Sequence, residues 1–455
     1  MLDVVFAEQQ QSSQHRVGIF YNTGGGLSWA LQVISTVGSH NIRVGDITSN
    51  GNISIMGADG TSRAIDHDVV HVWRNDFSPH TLDSWTYIHA DSTRTASNSP
   101  YGNGDFGLSF GDVNGDGFQD IASGHYFYRN PGGNMTSVPW PRVTLPKDPS
   151  NNGVLDASLL FSISGGGNSS DILAEYLPDV VWLHTNDQGV TWTPKVVAQI
   201  PKTSHGNSRT VKFVPNLLPG STNILLSGGD GTYSLQIPTN PNITPWPTTK
   251  ITSAVSEQQI IGVGDINGDG HPDIATAGAE SGPLNKTIYW WANPWGTGSW
   301  AQHLIGTTAN LAKMIVIADI NGDGRQDVVV SEEATPANVY WFEAPSDPIN
   351  GTWIRHTVAT GLSEVDSMSV ADMDHDGHPD IVIGEIKGSK RVIIYQNANN
   401  GSGWGSSWIT HIVDSGKESH NGVRLIDLNG EGKLDIVSIA YFLYQDMHIW
   451  RNDNR

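Results

Sequence analysis

Apolar residues recur along the whole chain in short runs, each closed by a cluster of Gly, Asn, Asp, Ser or Pro. The stretch from residue 314 shows the pattern: apolar residues at 314–318, an acidic Gly-containing loop, then 328–330, 339–342 and 353–358. Val, Ile, Tyr and Trp dominate these runs, which predicts four short strands. No segment keeps a 3.6-residue period beyond about one turn, so helices are not expected. Nor does any apolar run approach the ~20 residues of a membrane-spanning helix, so no membrane partner is expected.

The loop inside this unit repeats. Asp265-Ile-Asn-Gly-Asp-Gly-His-Pro-Asp273, Asp319-Ile-Asn-Gly-Asp-Gly-Arg-Gln-Asp327 and Asp372-Met-Asp-His-Asp-Gly-His-Pro-Asp380 share one pattern. Asp427-Leu-Asn-Gly-Glu-Gly-Lys-Leu-Asp435 follows it, and Asp112-Val-Asn-Gly-Asp-Gly-Phe-Gln-Asp120 lies far upstream. Successive copies from 265 begin 54, 53 and 55 residues apart, and the gap of 153 before 265 leaves room for two degenerate copies. Those fall at Asp171-Ile-Leu-Ala-Glu and Asn223-Ile-Leu-Leu-Ser, with two more at Asp3-Val-Val-Phe and Asn52-Ile-Ser-Ile. Nine units align in all, the first and last incomplete.

Tandem units of four strands and about fifty residues predict an all-β chain, a single β-propeller spanning 1–455. The loops resemble the calcium-binding FG-GAP/VCBS propeller repeats, and the likeness covers nearly the whole chain. Eight innermost strands can be counted, ending near residues 46, 112, 163, 215, 265, 319, 372 and 427. Eight blades are therefore favoured, although the family default is seven and nine units would allow nine. The truncated first unit and the last unit, which stops after Ile449-Trp450-Arg451, are expected to meet and close the ring.

Charge narrows the partners. Asp and Glu number 46 against 25 Lys and Arg, a formal charge of −21, and so acidic a surface repels phosphate backbones. Nucleic acid is excluded on that ground. With no Cys there is no thiol nucleophile, disulfide or thiolate metal site. Met1 to Phe6 shows no basic segment before an apolar one, and reads as a strand entered mid-repeat rather than a signal peptide. Seven Asn-x-Ser/Thr sequons (Asn52, Asn134, Asn168, Asn242, Asn285, Asn350, Asn400) fit a secreted glycoprotein. A monomer is expected.

The repeated loop places oxygen donors at its first, third, fifth and ninth positions, with Gly at the sixth for the turn. Such a loop suits Ca²⁺, which takes six to eight oxygens at about 2.3–2.6 Å. The expected ligands are Asp112, Asn114, Asp116 and Asp120; Asp265, Asn267, Asp269 and Asp273; Asp319, Asn321, Asp323 and Asp327. Asp372, Asp374, Asp376 and Asp380, then Asp427, Asn429, Glu431 and Asp435, complete five structural sites. The degenerate copies at 171 and 223 lack the acidic loop and should hold no metal. Gly107-Leu-Ser-Phe-Gly111 matches the nucleophile-elbow pattern, but Ser109 falls in a predicted inner strand, not a strand-to-helix turn. One aromatic per unit on the third strand (Trp73, Tyr128, Trp182, Trp290, Trp341, Tyr395, Trp450) predicts packing between blades.

Antiparallel strands put the start of each first strand and the end of each second strand on the face opposite the loops. Six or seven residues before the first donor stand His40, Asp105, Gln259, Lys313, Asp366 and His420, with Asp156 and Arg209 in the degenerate units. Five residues after the last donor stand Glu8, His125, Glu332 and Glu385. Ser39-His40-Asn41 recurs as Ser419-His420-Asn421, and ring closure between first and last units would bring the two together. His, Lys and Arg at one mouth resemble the propeller polysaccharide lyases, the fungal rhamnose–glucuronate lyase type in particular. That likeness implies β-elimination on a uronate-containing glycan, with Arg209 or Lys313 neutralising the carboxylate and His40, His420 or His125 moving protons. Asp105, Asp366, Glu332, Glu385 and Trp295 would contact substrate. The rival expectation is a lectin that binds sugar between blades without chemistry, and fold alone does not choose.

Overall fold

The computed structural model describes residues 4–7, 17–22, 29–35, 41–45, 54–58 and 70–73. From there it describes 81–94, 107–163, 169–203, 211–252, 261–278, 282–296, 298–417, 423–439 and 446–454. Every regular element among them is a strand. The chain divides into two units, residues 1–79 with 375–377 and residues 80–374 with 378–455. The first contains two three-stranded antiparallel sheets, one of Val4–Ala7, Val17–Asn22 and Trp29–Ser35, the other of Asn41–Gly45, Ser54–Ala58 and Val70–Trp73.

The second unit is a β-propeller of seven four-stranded blades. Their inner strands are Leu108–Gly111, Asp156–Phe161, Val211–Pro215, Gly262–Gly264, Leu311–Ala318, Val365–Ala371 and Arg424–Ile426, in blades 1 to 7. Seven blades replace the favoured eight. The eighth inner strand counted in the sequence, Asn41–Gly45, belongs to a separate three-stranded sheet of the first unit. The strand that follows that sheet, Trp85–Asp91, pairs instead with Met447–Asn452 and becomes the outer strand of blade 7. Ring closure therefore joins residues 85–91 to the last unit, and it gives no reason for the two Ser-His-Asn copies to be neighbours.

Seven buried apolar clusters fill the seven seams between blades. The closing seam sets Ile121 and Tyr128 of blade 1 against Val437, Ile449 and Ile88 of blade 7. Third-strand aromatics take the expected place: Tyr128 and Trp290 are fully buried, and Trp182, Trp341, Tyr395 and Trp450 nearly so. A buried Trp removes roughly 150–250 Å² from water, on the order of 4–6 kcal/mol gross at about 25 cal/mol per Å². Trp341 and Tyr395 share one seam, while Phe127 and Trp291 supply the third-strand aromatic in the seams between blades 1 and 2 and blades 3 and 4. Ser109 lies in the inner strand of blade 1, as its sequence context predicts.

Candidate metal loops and the central channel

The five loops fold alike. In the loop of blade 5, Asp319 accepts the main-chain N–H groups of Gly322, Asp323 and Gly324 at 2.8, 3.1 and 2.8 Å. Asn321 Oδ1 takes a second bond from Asp323 N–H, and Asp323 accepts from Arg325 N–H at 2.9 Å. The sixth position sits at φ between 85 and 93° in all five loops, where only Gly is unstrained. The first, third and fifth side chains thus turn toward one small volume.

In blade 6 the third position is Asp rather than Asn. Carboxylate oxygens of Asp372, Asp374 and Asp376 lie within 4.8 Å of one another. Three like charges so close favour a cation among them, and an all-oxygen donor set suits a hard one.

The ninth position serves another purpose. Asp120, Asp273, Asp327, Asp380 and Asp435 are fully buried, and each accepts two main-chain bonds. One comes from the loop's second residue (Ile320 N to Asp327, 3.0 Å), the other from just past the third strand (Ala344 N to Asp327, 2.8 Å). Burial pushes Asp120 and Asp273 up to about 6, and Asp327 and Asp435 up to about 7, against the pull of those bonds. The position expected to supply the fourth metal donor thus also pins the loop to its blade. Asp171 and Asn223 hold this register in the degenerate blades, opposite Phe161 and Val214.

Residues expected at the opposite mouth are partly accounted for. His40, His420, Arg209 and Asp105 lie outside the described residues, as do Glu8 and Gln259. Lys313 is buried between two carboxylates, paired with Glu333 and 3.6 Å from Asp366. Glu332 is fully buried and accepts from Ala309 N, Asn310 N, Asn310 Nδ2, Asn338 N and Asn338 Nδ2, at 2.6 to 3.0 Å. Its counterpart Glu385 takes a two-pronged bond from Arg391 (2.6 and 2.7 Å) and one from Ser363 N. These side chains hold loops in place. His125 is buried with its ring 4.0 Å from that of Tyr126. Trp295 remains partly exposed and stacks on His271 at 3.8 Å, an arrangement repeated by Trp404 on His378 at 3.6 Å.

Two features went unread in the sequence. An Asn follows the third strand in four blades (Asn130, Asn293, Asn397, Asn452), two residues after an aromatic, and in three of them its amide reaches the preceding blade. The recurrence of Tyr-Arg-Asn130, Trp-Ala-Asn293, Tyr-Gln-Asn397 and Trp-Arg-Asn452 is the signal that could have found it. The second is a pair of cations, Lys212 and Arg424, in the lining of the central channel, a cavity of about 590 Å³ walled by inner strands.

Residues 265–330, 319–383 and 372–438 each match the family model of the FG-GAP-like repeat. Together they make residues 265–438 similar to FG-GAP-like repeats. Each match starts at one acidic loop and runs past the next, so the repeat as recognised straddles the seam between two blades. No curated protein matches the chain.

Proposed function

We propose that the FG-GAP-like propeller is a calcium-stabilised, carbohydrate-directed protein of the extracellular space. The observation that carries the metal part is the carboxylate cluster of Asp372, Asp374 and Asp376, together with four loops of the same fold. Side chains at positions one, three and five would hold each ion, whose charge would offset the repulsion among them. The ion is a structural clamp in this reading. Titration of chelated protein with Ca²⁺ tests it, each site showing as a heat of binding that the Asp374→Ala, Asp376→Ala double variant loses in one loop only.

For the carbohydrate part we favour a polysaccharide lyase that cleaves a uronate-containing glycan at the central channel. Elimination needs a cation for the carboxylate, a base for the proton beside it and an acid for the leaving oxygen. Support comes from a cavity of a size common for small-ligand sites, about 300–1,000 Å³, with cations on its walls. Lys313 is less suited to neutralising substrate than expected, because Glu333 and Asp366 already neutralise it. Incubation with glucuronate-bearing plant gums should generate the ultraviolet absorbance of an unsaturated uronate. Saccharide binding with no such product would assign the lectin function instead, with exposed Trp295 as the first stacking residue to test.

A further inference from the structure

Lys212 of blade 3 and Arg424 of blade 7 occupy the same position in their inner strands. Each pairs two residues beyond the ninth loop position or its equivalent, Lys212 with Leu225 (after Asn223) and Arg424 with Val437 (after Asp435). Ser109, Leu159, Val316 and Ser369 hold that register in other blades, so these residues form one layer of the channel. Two blades separate 3 from 7 on one side and three on the other, as far apart as two of seven can be. The two cations therefore enter the layer from opposite walls.

Neither has a counter-ion among the described residues. Among the described residues no acidic side chain lines the cavity, whose walls are otherwise Ser, Gly and apolar residues such as Phe110, Leu160 and Met368. Arg424 makes only a long 3.4 Å bond to Val423 O, and Ser369 Oγ is taken by the same carbonyl at 2.7 Å. In a chain with 46 acidic and 25 basic residues, a cavity whose described lining holds two cations and no acid is not what composition would supply. Burial, and secondarily Arg424, pulls Lys212 down to about 8, while burial pulls Arg424 down to about 10. Both shifts express the cost of keeping charge in a narrow, largely apolar channel without a partner.

We propose that the central channel binds a carboxylate-bearing small molecule, its anionic group held between Lys212 and Arg424. Two cations from opposite walls match one delocalised anion, and the apolar walls beyond the layer suit an organic skeleton rather than a bare inorganic ion. The carboxylate is either that of a small dicarboxylic acid or that of a uronate sugar. The site stands without the lyase reading, although it would give that reading its carboxylate partner.

Calorimetric titration of the full chain at low salt tests this, using succinate and glucuronate against neutral succinamide and glucose, with inorganic phosphate as a further probe. At least one of the two acids should bind where its neutral analogue does not, and which acid binds identifies the source. Lys212→Met and Arg424→Met should each weaken that binding roughly tenfold to a hundredfold, the range for a hydrogen bond to a charged group. Lys212→Arg should retain it. Removal of an unpartnered buried cation should leave the melting temperature of Lys212→Met unchanged or higher, so a folding defect would not mimic the result. Should Arg424→Met not fold, the two Lys212 variants decide alone. No binding of either acid, equal binding in Lys212→Met, or tighter binding of phosphate than of both acids would overturn the proposal. A bound acid without elimination would sink the lyase reading and leave this site standing.

Discussion

Asn130 in blade 1 donates its side-chain amide to the main-chain carbonyl of Leu428 in blade 7, at 2.9 Å and across 298 residues of sequence. Gln119 N–H reaches the same oxygen at 3.2 Å. Asn293 does likewise to Leu217 O and Asn397 to Ile320 O, both at 2.8 Å, so the bond latches a blade to the one before it. At Asn130 the latch crosses the closing seam, between blade 1 and the one blade whose own strands come from both ends of the propeller. Asn130→Ala should therefore destabilise by about 1–3 kcal/mol, the cost of orphaning buried polar groups. Urea unfolding measures it, and a midpoint equal to wild type would show that the latch adds nothing.

Calcium should raise the melting temperature. A ligand that binds only the folded state stabilises by mass action, about 2.7 kcal/mol per site at a hundredfold excess over Kd. Asp323→Ala should reduce the effect by one site's worth. Identical calorimetric melts in excess chelator and in calcium would refute a structural metal.

Acid should loosen the closing blade. His448 lies cross-strand from His89, and its Nδ1 is 2.9 Å from the Tyr87 hydroxyl. Burial, aided by His89, pulls its pKa down to about 4 against the opposing effect of Asp446. The unfolded chain takes up this proton near 6.5, the folded one only near 4. Stability from this group is thus full above about pH 6.5 and is lost as pH falls toward about 4, by on the order of 3 kcal/mol at most. His448→Phe should flatten that part of the pH–stability curve. If it leaves the slope between pH 6.5 and 4 unchanged, the assignment fails.

Glu332 should behave as a structural residue. Its five N–H donors come from the Ala309–Asn310 turn and from Asn338 at the head of the third strand, and Glu332→Ala would leave them without this acceptor. A loss of about 3 kcal/mol or more is expected, with Glu332→Gln intermediate. Wild-type stability in Glu332→Ala would reopen a direct role at the mouth.

The elements most legible in the sequence were those fixed by local chemistry. The acidic loops, the short strands around them and the buried third-strand aromatics all depend on spacing within one unit. Blade number did not, because Trp85–Asp91 looks like the fourth strand of its own sheet and only long-range pairing with Met447–Asn452 assigns it to blade 7. Asp at the ninth loop position reads like the other donors. Only burial and two main-chain partners distinguish Asp327 from Asp323. Lys212 stands in a degenerate unit with no acidic loop to mark its register, so its equivalence to Arg424 appears only when strands are paired.

Because the closing strand precedes every blade while its partner follows nearly all of them, synthesis imposes an order on assembly. Residues 85–91 leave the ribosome first and wait through six complete blades before Met447–Asn452 emerges. Until then blade 1 faces solvent with Tyr126, Tyr128 and Trp140 uncovered, the surface that Ile439 and Ile449 later bury. The nascent chain is therefore most exposed to self-association at one edge and for one interval, and a ribosome stalled within the last blade would release an open arc, not a ring.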